Sequence, residues 1–306
     1  MACSVSTTMN SAGCRSMEGG TRTTGHAAQG KTPLFSVITV VRNGAAHLEQ
    51  AIASVLAQSC RDFEYIIIDG GSMDGTLEII RKYEDRIDCW VSEPDSGIYE
   101  AMNKGMGLAR GELIGLLNAD DFYEPDALER VAACFREKAV CGIYYGDNYV
   151  LQEDLHLTYR RRADLRCWLG MSICHQAMFV HRDVYRDLAG YREEFRFAAD
   201  YDFLLRAVAA GVDFLHVGGF LVHYRNTGLT SKHYLASLAE AKRINRDHFG
   251  RFSRRHRAYL AGYCRTLVLH VTQQVVLRVL GRRVLDGMRN VYMRRVLLDP
   301  GDIIEE

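Results

Sequence analysis

The chain has 306 residues, of which 48% are apolar and 25% charged, so it is long enough for about two folded domains. Its 38 Lys and Arg balance 38 Asp and Glu, which excludes a protein that binds nucleic acid through its overall charge. No run of 18 apolar residues occurs, so no membrane-spanning helix is predicted, and nine cysteines without a C-x-x-C pair predict reduced, intracellular thiols.

Three segments of the chain differ in composition. Residues 1–31 are rich in Ser, Thr and Gly and lack the apolar stretch of a signal peptide, which predicts disorder. Residues 32–232 alternate apolar runs with turns and predict a globular α/β domain. Residues 233–306 are predicted to form a basic, amphipathic helical region.

Short β-branched runs alternate with segments of helical apolar spacing in the first half of the globular part. The predicted strands there cover 34–41, 63–68, 89–91 and 112–117, and the predicted helices 47–58, 76 onward, 99–109 and 126–137. This alternation implies parallel strands joined by crossover helices. The later elements are more mixed, with predicted strands at 144–151, 178–181, 214–217 and 221–224, a helix at 201–210, and helices from 234 onward.

Acidic loops follow three of the predicted parallel strands, and they contain Asp69, Asp95 and the pair Asp120 and Asp121. Ligands of parallel sheets gather at the carboxyl ends of the strands, so these loops predict a site. Two adjacent carboxylates are costly to hold together without a cation, and Mg²⁺ and Mn²⁺ prefer oxygen ligands. The alternative is that Asp120 and Asp121 only begin a turn before the next helix.

The loop after the second strand reads Asp69-Gly-Gly-Ser-Met-Asp-Gly-Thr76. Its glycines permit a tight turn and close approach of the backbone to a ligand. It matches neither the G-x-G-x-x-G fingerprint of dinucleotide-binding folds nor a P-loop. Alternatively, Ser72 and Asp74 simply cap the following helix.

Taken together, these motifs resemble those of family 2 glycosyltransferases. The similar segments, which lie in order between residues 33 and 232, are PLFSVITVVRN (33–43), DGGSMDGT (69–76), NADD (118–121) and ADYDFLLR (199–206). A fifth, SEPDSGIYEAMNKG (92–105), resembles the bacterial branch that acts in O-antigen and surface polysaccharide synthesis. The resemblance implies a GT-A fold, a Rossmann-like mixed sheet flanked by helices, and metal-dependent inverting transfer from a nucleotide sugar, usually a UDP-sugar.

The resemblance also assigns residues to the nucleotide sugar. Thr39 and Asn43 are expected at the mouth of the nucleotide site, and Asp69 is expected to contact uracil. Asp95, Asn103 and Lys104 are expected near the nucleotide and its phosphates.

A second group of residues is assigned to the metal. Asn118 and Asp120 stand where the family has its Asp-x-Asp motif, so Asp120 is expected to bind Mn²⁺ or Mg²⁺ and Asn118 to form a neutral hydrogen bond to ribose. His223 is a further candidate for a contact with the metal or the diphosphate, although a lone histidine is more often structural.

The resemblance assigns the chemistry to Asp200, as the base that removes the proton of the acceptor hydroxyl. Ala199 replaces the usual glutamate before it. Asp202 is the rival carboxylate, and it is expected to interact with the first-turn amides of the helix. His175 and Gln176 either contact the acceptor or diphosphate, or form a buried polar pair.

The basic region has fourteen Lys and Arg against two acids between Ala241 and Arg295. Apolar runs interleaved with Arg278, Arg282 and Arg289 predict helices on an anionic membrane surface, hence a cytoplasmic protein at the inner face of the cell membrane. The alternative is a helical hairpin packed on the globular domain or in a dimer. Nucleic acid is not an expected partner, since no recognition module accompanies the arginines.

Two other functions are alternatives to glycosyl transfer, a non-catalytic scaffold and a sugar nucleotidyltransferase. A non-catalytic GT-A-like scaffold is favoured by the departures at Asn118 and Ala199 and disfavoured by Asp120, Asp121 and Asp200. A sugar nucleotidyltransferase is disfavoured because its Gly-rich, basic N-terminal loop is absent. The expected partners are a nucleotide-sugar donor and a saccharide or lipid-linked saccharide acceptor, whose sugars the sequence does not specify.

Overall fold

A mixed β-sheet forms the centre of the computed structural model, which describes residues 6–9, 15–23, 32–226, 228 and 233–304. The strands in these residues are β1 (Ser6–Met9), β2 (Arg15–Gly19), β3 (Phe35–Val41), β4 (Phe63–Asp69), β5 (Cys89–Ser92), β6 (Leu113–Asn118), β7 (Phe122–Tyr123), β8 (Gly142–Gln152), β9 (Leu157–Arg161), β10 (Met178–His181), β11 (Asp213–Arg225) and β12 (Ile303–Ile304). Their spatial order is β1-β2-β5-β4-β3-β6-β10-β8-β11-β7, with β9 beside β8 and β12 beside β9.

Helices cover both faces of this sheet. They are α1 (Leu48–Leu56), α2 (Thr76–Lys82), α3 (Ile98–Leu108), α4 (Ala127–Lys138), α5 (Arg182–Asp187), α6 (Ala199–Ala209), α7 (Tyr234–Phe249), α8 (Arg254–Leu280) and α9 (Arg282–Tyr292). Residues of β3 alternate between two cores, Val37 facing α1, α2 and α4 and Ile38 facing α3, α5 and α6. Burial on both faces explains why these strands read as uninterrupted apolar runs.

The carboxyl ends of the parallel strands meet at one edge, as the sequence predicted. Strands β5, β4, β3 and β6 are parallel neighbours. Their register places Val41 beside Asp69, Asp69 beside Ser92, and Val40 beside Asn118. The loops that follow these strands are therefore close together, while the antiparallel β10 makes the sheet mixed.

The last strand of the globular part differs from its prediction. Segments 214–217 and 221–224 belong to one strand, β11, whose pairing with β8 shifts between His216 and Phe220. Gly218 and Gly219 both have positive φ, which glycine adopts without the cost to a side chain. The glycines that suggested a break instead form an irregularity within a continuous strand.

The N-terminal segment also differs from the expected disorder. Strand β2 pairs antiparallel with β5, Met17 opposite Ser92 and Gly19 opposite Trp90. Arg22 then forms an ion pair with the buried Glu64. Without β2 the edge of β5 would have unpaired backbone groups, and this non-local pairing is invisible in the local composition. The remaining part of the predicted disordered segment, 1–5, 10–14 and 24–31, lies outside the described residues.

The first C-terminal helix is integrated into the globular domain. Ile244 of α7 is buried in the core that contains α6, and the Asn245 amide donates to the Tyr201 hydroxyl at 2.8 Å and to the Trp168 carbonyl at 2.9 Å. No helix in the described residues is both long and apolar enough to cross a membrane.

Candidate functional site

A cleft of about 860 Å³ opens where the parallel strands end. This volume is in the range typical of small-molecule sites. The predicted residues that line it are Asn43, Asp95, Asn118, Asp120 and Asp200. The structure thus brings together residues from four separate motifs of the sequence.

Asp200 lies in the first turn of α6, and both of its carboxylate oxygens have partners. Oδ1 accepts hydrogen bonds from the Tyr99 hydroxyl at 3.1 Å and from the Tyr201 amide at 2.8 Å. Oδ2 lies 3.3 Å from Nδ1 of His175. These contacts orient the carboxylate in the cleft. Burial, and to a smaller extent the charge of Asp200, raises the pKa of Tyr99 well above its usual value, so the Tyr99 hydroxyl remains a donor.

His175 lies in a short 3₁₀ turn, His175–Ala177, and lines the same cleft. The Asp200 carboxylate next to Nδ1 favours the tautomer with the proton on that nitrogen. Its other nitrogen, Nε2, is buried and has no hydrogen-bond partner among the described residues. Gln176 also borders the cleft but is almost completely buried, and its amide donates to Asp121 Oδ2 at 2.6 Å. Of the predicted pair, His175 faces the cleft and Gln176 is structural.

Asp202 has a structural environment that is unlike that of Asp200. It is almost completely buried, with Oδ2 2.7 Å from Nε of Arg206 and Oδ1 3.0 Å from Nε2 of His248. Burial alone would raise the pKa of this carboxyl, but the hydrogen bonds from His248 and Arg206 outweigh it and lower the pKa. Asp202 therefore fixes α6 to its neighbours rather than reaching the cleft.

Asp120 and Asp121 have separate roles. The Asp121 carboxylate is buried, where it accepts from Gln176 and from the Arg225 amide at 2.7 Å. Burial and then the neighbouring Asp120 raise its pKa well above the ordinary range. Asp120 faces the cleft, and burial raises its pKa, while His47 and Arg225 act in the opposite direction.

The cleft offers oxygen ligands for a divalent cation. Among the described residues, no side chain donates a hydrogen bond to the Asp120 carboxylate. Asn118 Oδ1 is buried and likewise has no hydrogen-bond partner among them. One charged and one neutral oxygen match the donors that Mg²⁺ and Mn²⁺ prefer. These residues therefore fit the predicted metal.

Two residues assigned to the nucleotide or metal are turned away from the cleft. Thr39 is fully buried, and its hydroxyl is 2.9 Å from that of Tyr65. Nε2 of His223 is within hydrogen-bond distance of the Glu124 carboxylate, and its ring stacks on Phe122 with ring centroids 4.3 Å apart. Neither residue is in the cleft lining, so the metal contact expected of His223 is not formed in this arrangement.

Three other assigned residues also lie outside the lining, because each is engaged by the protein. The buried Asp69 accepts from the hydroxyls of Ser72 and Ser92, at 2.5 and 2.6 Å. The Asn103 amide donates to the Tyr191 carbonyl at 2.9 Å. Lys104 forms an ion pair with the carboxylate of Glu93.

Further residues of the site had weak or absent signals in the sequence. Arg225, at the end of the predicted strand 221–224, donates to Gln50 Oε1 at 2.7 Å and to the Asp120 carbonyl. Glu240 of α7 accepts from the backbone amides of the loop before α6, and no local pattern indicated it. Arg225 lies two residues after the candidate His223, so its neighbourhood, though not its role, was predictable.

Comparison with known proteins identifies the family. A model described as glycosyl transferase family 2 matches residues 36–189, half of the chain. This chain belongs to glycosyltransferase family 2. The PGL/p-HBAD biosynthesis glycosyltransferase of Mycobacterium tuberculosis is 37% identical over 179 residues, which are 57% of this chain and 69% of that protein. Chondroitin synthase of Escherichia coli is 28% identical over 214 residues, 65% of this chain but 30% of that protein.

Solved structures support the same architecture for this glycosyltransferase. A fragment of S. aureus TarS in complex with UDP-GlcNAc has a TM-score of 0.57 at 16% identity, covering 86% of this chain and 76% of that one. The mannosyltransferase PcManGT of Pyrobaculum calidifontis, in complex with GDP-Man and Mn²⁺, has a TM-score of 0.54 at 16% identity and covers 86% and 88%. These structures confirm the predicted fold class, and the family match and the named relatives confirm the predicted enzyme class, a glycosyltransferase.

Proposed function

We propose that this glycosyltransferase transfers a sugar with inversion from a UDP-sugar to a hydroxyl of a saccharide or lipid-linked saccharide acceptor, in a reaction that depends on Mn²⁺ or Mg²⁺. The observation that carries this proposal is that Asp200, held by Tyr99 and His175, lines the same cleft as Asp120. One carboxylate for proton removal and another for the donor end suffice for single-step displacement. No covalent intermediate is required.

Asp200 acts as the general base in this proposal. The acceptor oxygen attacks the anomeric carbon as its proton moves to the Asp200 carboxylate, and the bond to the nucleoside diphosphate breaks on the opposite face of the sugar. Oδ1 accepts from two donors, Tyr99 and Tyr201, whereas Oδ2 faces only His175, so Oδ2 keeps an acceptor position for the proton. A positioned base of this kind contributes typically ~10²–10⁴-fold to the rate.

The donor end of the cleft is assigned to Asp120 and Asn118. These two residues would hold the divalent ion, which when bound stabilises the negative charge of the departing diphosphate. Arg225 borders this end of the cleft and acts to lower the pKa of the Asp120 carboxyl against the effect of burial.

The nucleoside is assigned to the loops at the far side of the cleft. Asn43 and Asp95 line that side, and Asp95 lies 3.8 Å from the exposed Arg42 guanidinium. Asp69 contributes through Ser72, whose hydroxyl in turn holds the backbone amide of Asn43 at 2.6 Å. The TarS complex supports uridine, whereas the GDP-Man complex of PcManGT makes guanosine the competing choice.

Nucleotide release from UDP-, GDP- and dTDP-sugars, measured with Mn²⁺, Mg²⁺ or EDTA, tests the proposal. We expect metal-dependent release of UDP from one donor, lost about 10²-fold or more in Asp200→Asn while UDP binding is retained. Asp120→Asn should instead weaken metal-dependent nucleotide binding. Full activity of Asp200→Asn would contradict the assignment of the base, and release of GDP alone would contradict the assignment of the nucleotide. No release from any donor, with or without lipid-linked acceptors, would favour a scaffold.

The helices α8 and α9 support contact with an anionic membrane surface at the inner face of the cytoplasmic membrane. Four exposed valines lie at helical spacing along α8, namely Val268, Val271, Val275 and Val279. Arg278 lies beside them on the same helix, and Arg282 begins α9 after Gly281. Arginines beside such a stripe match an anionic lipid interface. The hairpin also packs on the globular domain, since Arg289 of α9 lies 2.6 Å from Asp154, so the two predicted alternatives are compatible.

Vesicle flotation tests the membrane contact. The protein should float with vesicles of anionic phosphatidylglycerol and not with neutral phosphatidylcholine, and Val275→Asp should abolish flotation. Val208→Asp, at an exposed valine on α6, is the matched control and should float normally. Equal flotation of both variants, or the formation of a dimer that Val275→Asp dissolves, would contradict this assignment.

A further inference from the structure

A second group of potential ligands lies outside the described cleft. Cys141, His181 and Asp183 each offer a ligand atom, and these atoms lie within 4.8 Å of one another. The Cys141 sulfur is 3.4 Å from Nδ1 of His181, and Asp183 Oδ2 is 3.7 Å from the same nitrogen. None of the three lines the catalytic cleft. We call this group the Cys-His-Asp cluster.

The cluster is built on regular elements of the sheet. Cys141 directly precedes β8, His181 ends β10, and Asp183 lies in the first turn of α5. Strands β8 and β10 are antiparallel neighbours, with Val180 opposite Ile143, so their pairing fixes the distance between the thiol and the imidazole. A site that rests on paired strands needs little rearrangement to bind a ligand.

Two of the three ligand separations in the cluster match those around a tetrahedral metal, and the third, between Cys141 and Asp183, is within 4.8 Å. With Zn–S near 2.3 Å and Zn–N near 2.0–2.1 Å, tetrahedral angles place sulfur and nitrogen ligands roughly 3.5 Å apart, and nitrogen and oxygen ligands roughly 3.3 Å apart. The observed separations of 3.4 and 3.7 Å are close to these values. Nδ1 of His181, as the N-cap of α5, accepts the backbone N–H of Asp183 at 3.3 Å, and a bound ion would replace this hydrogen bond.

The same geometry argues against a nucleophilic triad. In a triad the nucleophile and the orienting carboxylate contact opposite nitrogens of the histidine. Here Cys141 and Asp183 both approach Nδ1 of His181, so the imidazole has no path to pass a proton from one to the other. Arg186 fixes the carboxylate by pairing with Asp183 Oδ1 at 2.5 Å, which leaves Oδ2 directed at the cluster.

We propose that the Cys-His-Asp cluster binds a single Zn²⁺ ion, with a water molecule in the fourth position. A thiolate and an imidazole select zinc over the hard cations assigned to Asp120, which prefer oxygen. Binding replaces the thiol proton, which is released to solvent as the zinc–sulfur bond forms. The ion would join the beginning of β8 to the end of β10, and it takes no part in the proposed sugar transfer.

Cobalt substitution tests the proposal. The reduced, tag-free full chain is titrated with Co²⁺, since a thiolate-to-cobalt charge-transfer band reports a sulfur ligand and the oxygen ligands at Asp120 give none. We expect one equivalent of band-forming Co²⁺, displaced by stoichiometric Zn²⁺. Cys141→Ser should abolish the band, and Asp183→Asn should weaken Zn²⁺ binding about tenfold or more.

Two controls separate this site from other sources of metal binding. Cys264→Ser removes another exposed thiol and should retain the band, as should Asp120→Asn. The proposal is overturned if no band forms, if the band persists in Cys141→Ser, or if Co²⁺ binds only at millimolar concentration. Circular dichroism of each variant confirms that a lost band does not reflect unfolding.

Discussion

Replacing either of the two aspartates in the first turn of α6 by asparagine is expected to have opposite effects on activity and on stability. Asp200→Asn should remove activity with little effect on stability, whereas Asp202→Asn should destabilise the fold. The reason is burial: Asp202 is almost completely shielded from water and holds Arg206 and His248, while Asp200 lines the cleft.

The size of the effect follows from the partners that Asp202 leaves behind. Removing one member of a buried ion pair costs about 3–5 kcal/mol, because the other charge stays buried. Two features reduce this cost. Arg206 also donates to the carbonyls of Leu188 and Gly190, and Arg192, which lies 3.5 Å from Asp202 Oδ1, is half exposed to water. We therefore expect the lower limit, about 3 kcal/mol. At about 2–4 °C per kcal/mol for a domain of this size, Tm should fall by roughly 6–12 °C.

Thermal and urea unfolding of wild type, Asp202→Asn and Asp200→Asn measure this difference. Because the pKa of Asp202 is lowered in the folded state, its stabilisation is complete above the unfolded pKa near 3.9 and is lost as the pH falls through the lower folded value. The stability of wild type and Asp202→Asn should therefore converge below about pH 4. An unchanged Tm for Asp202→Asn at neutral pH would refute the structural role.

Two further substitutions test how Asp200, the proposed base, is positioned. Tyr99→Phe removes a donor to Asp200, so kcat should fall about tenfold at constant KM, and the acidic limb of the pH–rate profile should move to higher pH; an unshifted limb would contradict this role. Glu240→Gln should lower the unfolding free energy by about 2 kcal/mol and also lower kcat, since one of its oxygens becomes an amide that faces backbone N–H groups; wild-type values in both measurements would contradict this.

The parallel part of the fold was predictable because its signal is local. Strands β3, β4 and β6 are apolar runs bounded by turns, and their predicted bounds differ from the observed ones by a residue. Strand β2 was missed because its stabilisation comes from pairing with β5, some seventy residues away in the chain. Composition alone reports neither an edge that needs a partner nor the ion pair that follows it.

The cleft was predictable at the ends of strands and less so within them. Asn118 ends β6, and Asn43 and Asp120 lie just beyond the ends of β3 and β6, so any parallel sheet brings them to the same edge. Thr39 and His223 lie inside strands, where successive side chains alternate between faces. A sequence motif does not show which side of a strand faces the cleft. In these two strands the residues that follow Thr39 and His223 line the cleft, and Thr39 and His223 themselves do not.

The position of Asp200 also depends on a helix beyond the matched family region, which ends at residue 189. The backbone amides of Arg196, Phe197 and Ala198 donate to the Glu240 carboxylate at 2.8, 2.6 and 2.8 Å, directly before the helix that carries Asp200. Three amides converging on one carboxylate place the negative charge where an N-terminal helix dipole favours it. Without α7 these donors would lose their partner, and the loop that leads into the proposed base would lose its anchor. The structural unit that holds the proposed base therefore extends through α7.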